Sequence, residues 1–246
     1  GSVPGLIFLV VKKMISLYTG TPGSGKSLHA AQVIRDNLLW AHRNVIANFP
    51  VNMDYVWYSQ RQVKRMASDR SYHPQKRKAS RFYYVDDLYL TPDFLLQFAK
   101  KFHVPRKESQ TLVVIDECQA DWLFGNRAWQ NKSRSAWCRL FQVHRHLGFD
   151  FILMAQSDKL IDKAIRCEVE YEVKHRKIKN FGIKGLLMGL FLGGCGFVAV
   201  KVWYGISQKV DSHFFRFSRL YANFYDSYRD FSKLGGLKNE SSDLQS

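Results

Sequence analysis

Gly20-Thr21-Pro22-Gly23-Ser24-Gly25-Lys26-Ser27 follows a short apolar run, Met14 to Thr19, and precedes a stretch, Leu28 to His42, whose apolar residues recur at helical spacing. Strand, glycine turn and helix are the context in which the pattern GxxxxGK[ST] has a mechanism. The glycines let the backbone curl until successive N–H groups face one anion, and the positive end of the following helix adds to their pull. Lys26 is then placed to reach the β and γ phosphates, and Ser27 to ligate Mg2+. The expected phosphate-binding set is Gly20, Thr21, Pro22, Gly23, Ser24, Gly25, Lys26, Ser27 and the helix-opening Leu28. An ordinary glycine-rich turn would leave Lys26 and Ser27 unexplained. The expected cofactors are ATP and Mg2+.

A second apolar run, Thr111 to Ile115, carries Asp116 and Glu117 to its end, and we expect that strand to lie beside the loop. Asp116 is the candidate for holding Mg2+, directly or through water. Glu117 is the candidate for orienting and deprotonating the attacking water. An apolar strand running into an acidic turn is common, so the pair gains its weight from the loop. Gln156 ends a third apolar run, Phe149 to Ala155, and is the candidate sensor of the γ-phosphate. Arg145 and Arg166 are candidates for the cation that stabilises charge on the transferring phosphate, within one subunit or across an oligomer interface.

The rest of the chain alternates in kind. Asn44 to Phe49 reads as a strand ended by Pro50, and Phe82 to Val85 as another. Asp93 to His103, introduced by Thr91 and Pro92, and Ala128 to Leu147 read as helices. Tyr58 to Ser80 is basic and polar, as an exposed connection would be. Strands alternating with helices give an α/β fold. We expect a P-loop NTPase with a RecA-like, mainly parallel sheet flanked by helices, plus a C-terminal strand and helix extension. The expected divisions are an N-terminal extension, 1–13, the core, 14–166, a C-terminal extension, 167–232, and a disordered polar tail, 233–246. The aromatic stretch Phe214 to Phe231 has helical spacing in places and reads as core.

The chain has 246 residues, and 37 Lys and Arg against 21 Asp and Glu give a formal net charge of +16, which points to an anionic partner: nucleotide, nucleic acid or a membrane face. Cys118, Cys138, Cys167 and Cys195 lie far apart without metal-ligand spacing, so neither a zinc site nor a disulfide framework is indicated. Between Lys184 and Lys201 sixteen residues carry no charge. At ~1.5 Å per residue they reach about 24 Å, short of the ~30 Å hydrocarbon core. Gly185, Gly189 and Gly193 at small-xxx-small spacing and the basic flank of Arg176, Lys177, Lys179 and Lys184 argue the other way. We expect a short helix in 185–200, then a strand over Val198 to Tyr204 pairing with Glu168 to Lys174.

His144-Arg145-His146-Leu147-Gly148-Phe149-Asp150, the strand after it with Gln156, and Tyr225-Asp226-Ser227-Tyr228 resemble segments of the zonular occludens toxin family, which includes the filamentous phage gene I assembly proteins. The likeness spans roughly residues 14 to 231. It implies an oligomeric ATPase motor in the bacterial host, on the cytoplasmic side at or in the inner membrane. The implied work is extrusion of single-stranded phage DNA while coat proteins are added. A DNA translocase or packaging ATPase, with Lys64, Arg65, Arg77, Lys78 and Arg81 gripping phosphates, is the first alternative. A nucleotide-binding interaction protein without turnover is the second.

Overall fold

The computed structural model describes residues 14–120, 123–125, 133–182 and 196–225. In chain order the elements are β1 (Ile15–Thr19), α1 (Lys26–Leu39), β2 (Asn44–Ala47), α2 (Asp54–Trp57), α3 (Gln60–Ser68), β3 (Phe82–Tyr84), α4 (Pro92–Phe102) and β4 (Thr111–Ile115). There follow α5 (Ser133–Leu147), β5 (Phe149–Met154), α6 (Lys163–Cys167), β6 (Tyr171–Lys177), β7 (Phe197–Trp203), β8 (Gln208–Phe215) and α7 (Arg219–Phe224). The extension at 1–13, the start of the helix expected from Ala128 and the tail beyond Tyr225 lie outside the described residues.

Every residue of β1, β4 and β5 is buried, which is why these strands read as unbroken apolar runs and not as alternations. Their side chains nevertheless divide by the strand period of two. Val113 and Ile115 join Phe149, Phe151 and Leu153 under α4 and α5, where Leu95, Phe98, Trp137 and Phe141 complete one core. Leu112 and Val114 join Ile152 and Met154 under α1, with Ala31, Ile34 and Leu38. Each fully buried side chain of this size contributes about 1.5–3 kcal/mol relative to exposure, so two-sided burial holds the central strands in register.

The eight strands form one sheet in the order β3-β2-β4-β5-β1-β6-β7-β8. From β3 to β6 every neighbouring pair is parallel, while β7 and β8 extend the edge as antiparallel strands. The sheet with helices on both faces matches the expected fold class. β5 separates β1 from β4, so the strand bearing the acid pair stands one place further from the loop strand than its sequence suggested.

Three more details differ from the sequence reading. The basic connection contains α3, opened by a capping box between Ser59 and Gln62. β6 begins three residues later than expected. Phe214 and Phe215 belong to β8 and not to a helix. The pairing of β6 with β7 is as expected: Lys177 opposes Phe197, so the chain leaves the sheet after β6 and re-enters it alongside. Val198 to Val200, the last part of the apolar run, are strand residues, and 185–195 lie outside the described residues. Among the described residues no helix is long and apolar enough to cross a membrane.

Candidate functional site

The carboxyl ends of parallel strands are where such sheets bind ligands, and β1 delivers its chain there into the loop. Gly20 and Gly25 are the positions that demand glycine. Gly20 has φ +146°, and a Cβ on it would lie 2.6 Å from the main-chain oxygen of His175 on β6. Gly25 has φ +95°, and a Cβ would meet the Phe197 ring at 2.8 Å. Gly25 caps α1 without a side-chain hydrogen bond, and no acid stands in the first turn. The first N–H groups of the helix are therefore uncapped by any side chain, and their partial positive charge is unopposed. The Ser24 hydroxyl is buried and has no partner among the described residues, as a donor kept for a phosphate oxygen would be. Leu28 buries its side chain in the core and offers the site only its main chain.

Lys26 turns back onto the loop, donating to the carbonyl of Gly20 and, at 3.4 Å, to that of Thr21. Desolvation pushes its pKa down, while the negative charges of Asp116 and Glu117 oppose the shift. The lysine thus stands in the field of the acid pair, across the tip of β5. Ser27 and Asp116 are both oxygen donors, the kind Mg2+ takes beside substrate phosphates. Asp116 is held from three sides. Asn48, at the end of β2, accepts from its N–H at 2.7 Å and donates to its carbonyl at 2.9 Å, and donates also to Asp87 at 2.6 Å. The Tyr225 phenol donates to Oδ2, and the N–H of Glu117 donates to Oδ1 at 2.9 Å. Glu117 is exposed with φ +51°, a conformation that side chains rarely adopt outside turns and functional sites. Gln119 donates to its carboxylate. Cys118 behind the pair is fully buried, and burial raises its thiol pKa well above the usual value.

The remaining candidates separate. Gln156 is exposed at the tip of β5, and its main-chain carbonyl accepts the N–H of Gly20 at 3.3 Å, which places the residue beside the loop without engaging its side chain. Arg145 sits in the last turn of α5, paired with Glu170 just before β6. That is the amino-terminal edge of the sheet, opposite the loop, so the fold does not bring Arg145 to the phosphate site of its own chain. Arg166 on α6 hydrogen-bonds Tyr204, whose phenol also bonds Asp158 at 3.1 Å. A cation that sequence reasoning missed lies closer: a Cβ on Gly23 would be 3.4 Å from Lys177 Nζ. In sequence Lys177 is one of several basic residues flanking an apolar run; only the parallel pairing of β6 with β1 carries it to the loop. Asn48 and Tyr225 were missed for the same reason, being distant in sequence from everything they hold.

Beneath the loop three histidines pack together with Tyr18 and Phe215. His175 Nδ1 faces the Thr19 carbonyl at 3.2 Å, so it carries the proton; Nε2 then accepts from His29 Nδ1 at 2.9 Å. Both rings are neutral in this arrangement. Burial drives the pKa of His29 well down and that of His175 to about 4, with His213, also lowered, and Lys26 adding to the effect on His175. The unfolded chain, with histidines near 6.5, binds more protons between those values, so stability present at neutral pH is lost as pH falls from about 6.5 toward 4. His175 alone accounts for a loss on the order of 3 kcal/mol. Urea melts at pH 7.5 and pH 5 check this; equal midpoints would refute it.

The model of the family described as Zonular occludens toxin (Zot) matches residues 14–191, well over half of the chain. This chain belongs to the Zot family. Among curated relatives, the Gene 1 protein of Enterobacteria phage I2-2 is 30% identical over 202 residues, covering 80% of this chain and 50% of the relative. The Gene 1 protein of Enterobacteria phage M13 is 28% identical over 178 residues, covering 71% and 46%. The chain spans about half the length of these relatives. Among solved structures, one ATPase domain superposes with a TM-score of 0.52 at 9% identity, covering 87% of this chain and 84% of that one, a likeness of fold alone. This member of the Zot family carries a phosphate-binding loop on a P-loop NTPase fold, and phage Gene 1 proteins are among the proteins it resembles.

Proposed function

We propose that the chain is the ATP-driven motor of filamentous phage assembly, acting as a homo-oligomer at the cytoplasmic face of the host inner membrane to export single-stranded DNA as coat proteins are added. The observation that carries this beyond a generic ATPase is the connection between β2 and β3. From Gln60 to Arg81 it holds Arg61, Lys64, Arg65, Arg70, Lys76, Arg77, Lys78 and Arg81, all exposed, against the single acid Asp69. α3 buries none of its residues, so packing does not explain its charge. Arg65 lies over the Tyr72 ring and Lys76 over Trp57, each at 4.2 Å from the centroid. Cations interleaved with aromatic faces suit a flexible phosphate backbone whose bases can stack.

At the nucleotide, Lys26 and the main-chain N–H groups of Gly23, Gly25, Lys26, Ser27 and Leu28 bind the phosphates, and Lys177 adds a second cation from β6. Ser27 and Asp116 would hold Mg2+, which would supply positive charge to offset that of the phosphates. Glu117 takes a proton from the attacking water, and the exposed side chain of Gln156, next to the loop at the tip of β5, senses the γ-phosphate. The cation supplied to the transition state across a subunit interface is Arg145 or Arg166, both being remote from the loop of their own chain or engaged elsewhere.

Replacing Lys64, Arg77 and Lys78 with glutamate should weaken single-stranded DNA binding by at least tenfold and flatten its salt dependence by about 0.7 in log–log slope for each phosphate no longer neutralised. Fluorescence anisotropy across a salt series measures both, with nucleotide binding as the control for folding. Unchanged affinity and slope would refute the DNA reading of this face. Release from membranes on alkaline washing is the corresponding test of a peripheral location.

A further inference from the structure

The Tyr-Asp-Ser-Tyr segment, which by resemblance belongs with the family, lies beyond residues 14–191 that the family model matches, and the catalytic roles proposed above use none of it. Its first residue is within the described fold. α7 sinks Phe224 completely into the core. The next residue, Tyr225, then forms an isolated antiparallel bridge with Val51 and sets its ring edge-on against Phe49, centroids 4.6 Å apart. The ring is nearly buried, at 8% exposure. A buried phenol needs an acceptor, and Oδ2 of Asp116, more than a hundred residues away in sequence, accepts from it.

We propose that Tyr225 is a positioning residue for the Mg2+-holding carboxylate of Asp116, and that it couples the chain following residue 225 to the nucleotide site. The proposal rests on the assignment of Asp116 to Mg2+ made above. With the Tyr225 phenol on Oδ2 and the Glu117 N–H on Oδ1, each carboxylate oxygen accepts one fixed donor and keeps a lone pair for the metal side. The two donors set the carboxylate torsion, while Asn48 fixes the main chain that carries it. This is the outer-shell arrangement that orients metal ligands elsewhere. The Tyr225 phenol stands at the end of the described chain, one residue past α7, so tension or partner binding beyond residue 225 would be transmitted to the carboxylate.

Tyr225→Phe keeps the ring against Phe49 and removes only the donor. Binding of a fluorescent ADP analogue, titrated with Mg2+ and repeated in EDTA, is the primary readout; the Mg2+ concentration for half-maximal ATP hydrolysis is the second. We expect the Mg2+ requirement to rise about tenfold with binding in EDTA unchanged. A tether of merely structural value would weaken binding equally with and without Mg2+, or leave both unaltered, and either result overturns the proposal. Asp116→Asn in the same assays separates the two layers. If it raises the Mg2+ requirement while Tyr225→Phe does not, Tyr225 alone is misassigned; if it leaves the requirement unchanged, the assignment of Asp116 fails and the proposal with it.

Discussion

Glu117→Gln is expected to lower the rate of ATP hydrolysis by roughly 10²–10⁴-fold while ATP binding survives. The amide matches the carboxylate in size and keeps an oxygen for Gln119, so the local turn has no reason to change. What it loses is the capacity to take a proton. It also removes a negative charge that acts on Lys26, which favours phosphate binding. The variant should therefore hold ATP and fail to turn it over, a fall in kcat without a rise in KM. Single-turnover hydrolysis alongside equilibrium binding separates the two effects. Wild-type hydrolysis by this variant would remove Glu117 from the mechanism.

The largest expected effect on stability lies at the opposite edge of the sheet. Asp150, at the start of β5, is almost completely buried and is paired with Arg43, itself mostly buried, with Ser109 at 3.3 Å from its other oxygen. Arg43→Met would leave the carboxylate in the interior with one weak donor. Removing one partner of a buried pair costs about 3–5 kcal/mol, because the remaining charge has lost its compensation. In a chain of this size that lowers the melting temperature on the order of 10 °C. Replacing both residues, Arg43→Met with Asp150→Leu, should recover much of the loss, since two apolar groups leave no charge behind. Calorimetry of the single and double variants checks this; a single variant as stable as the wild type would show that the pair is dispensable.

That pair also explains what the sequence could and could not tell. The His-Arg-His-x-Gly-x-Asp stretch that carried the family likeness is not part of the nucleotide site. It is the joint between α5 and β5. His144 is buried against the Phe141 carbonyl, and Arg145 reaches Glu170. Gly148 closes α5 at φ +83°, where a Cβ would meet Gln110 at 2.8 Å, and Asp150 takes Arg43. Within its own chain the stretch works by packing and pairing, at the end of the sheet opposite the phosphate loop. The loop and the acid pair were legible because their chemistry is local: eight consecutive residues make the anion site, and two end a buried strand. Asn48, Lys177 and Tyr225 were not, because each reaches the site only through strand pairing or chain return. α3 was missed although its capping pair, Ser59 and Gln62, is written in the sequence; the density of charge beyond it read as a loop.

The central claim, that this loop and its acid pair hydrolyse ATP to do work on single-stranded DNA, is tested most directly by steady-state ATP hydrolysis of the purified chain with and without single-stranded DNA, over a range of protein concentrations. The account predicts Mg2+-dependent turnover that rises on adding DNA and loses that stimulation at high salt. ATP that is bound but never hydrolysed, with or without DNA and at every protein concentration, would contradict it.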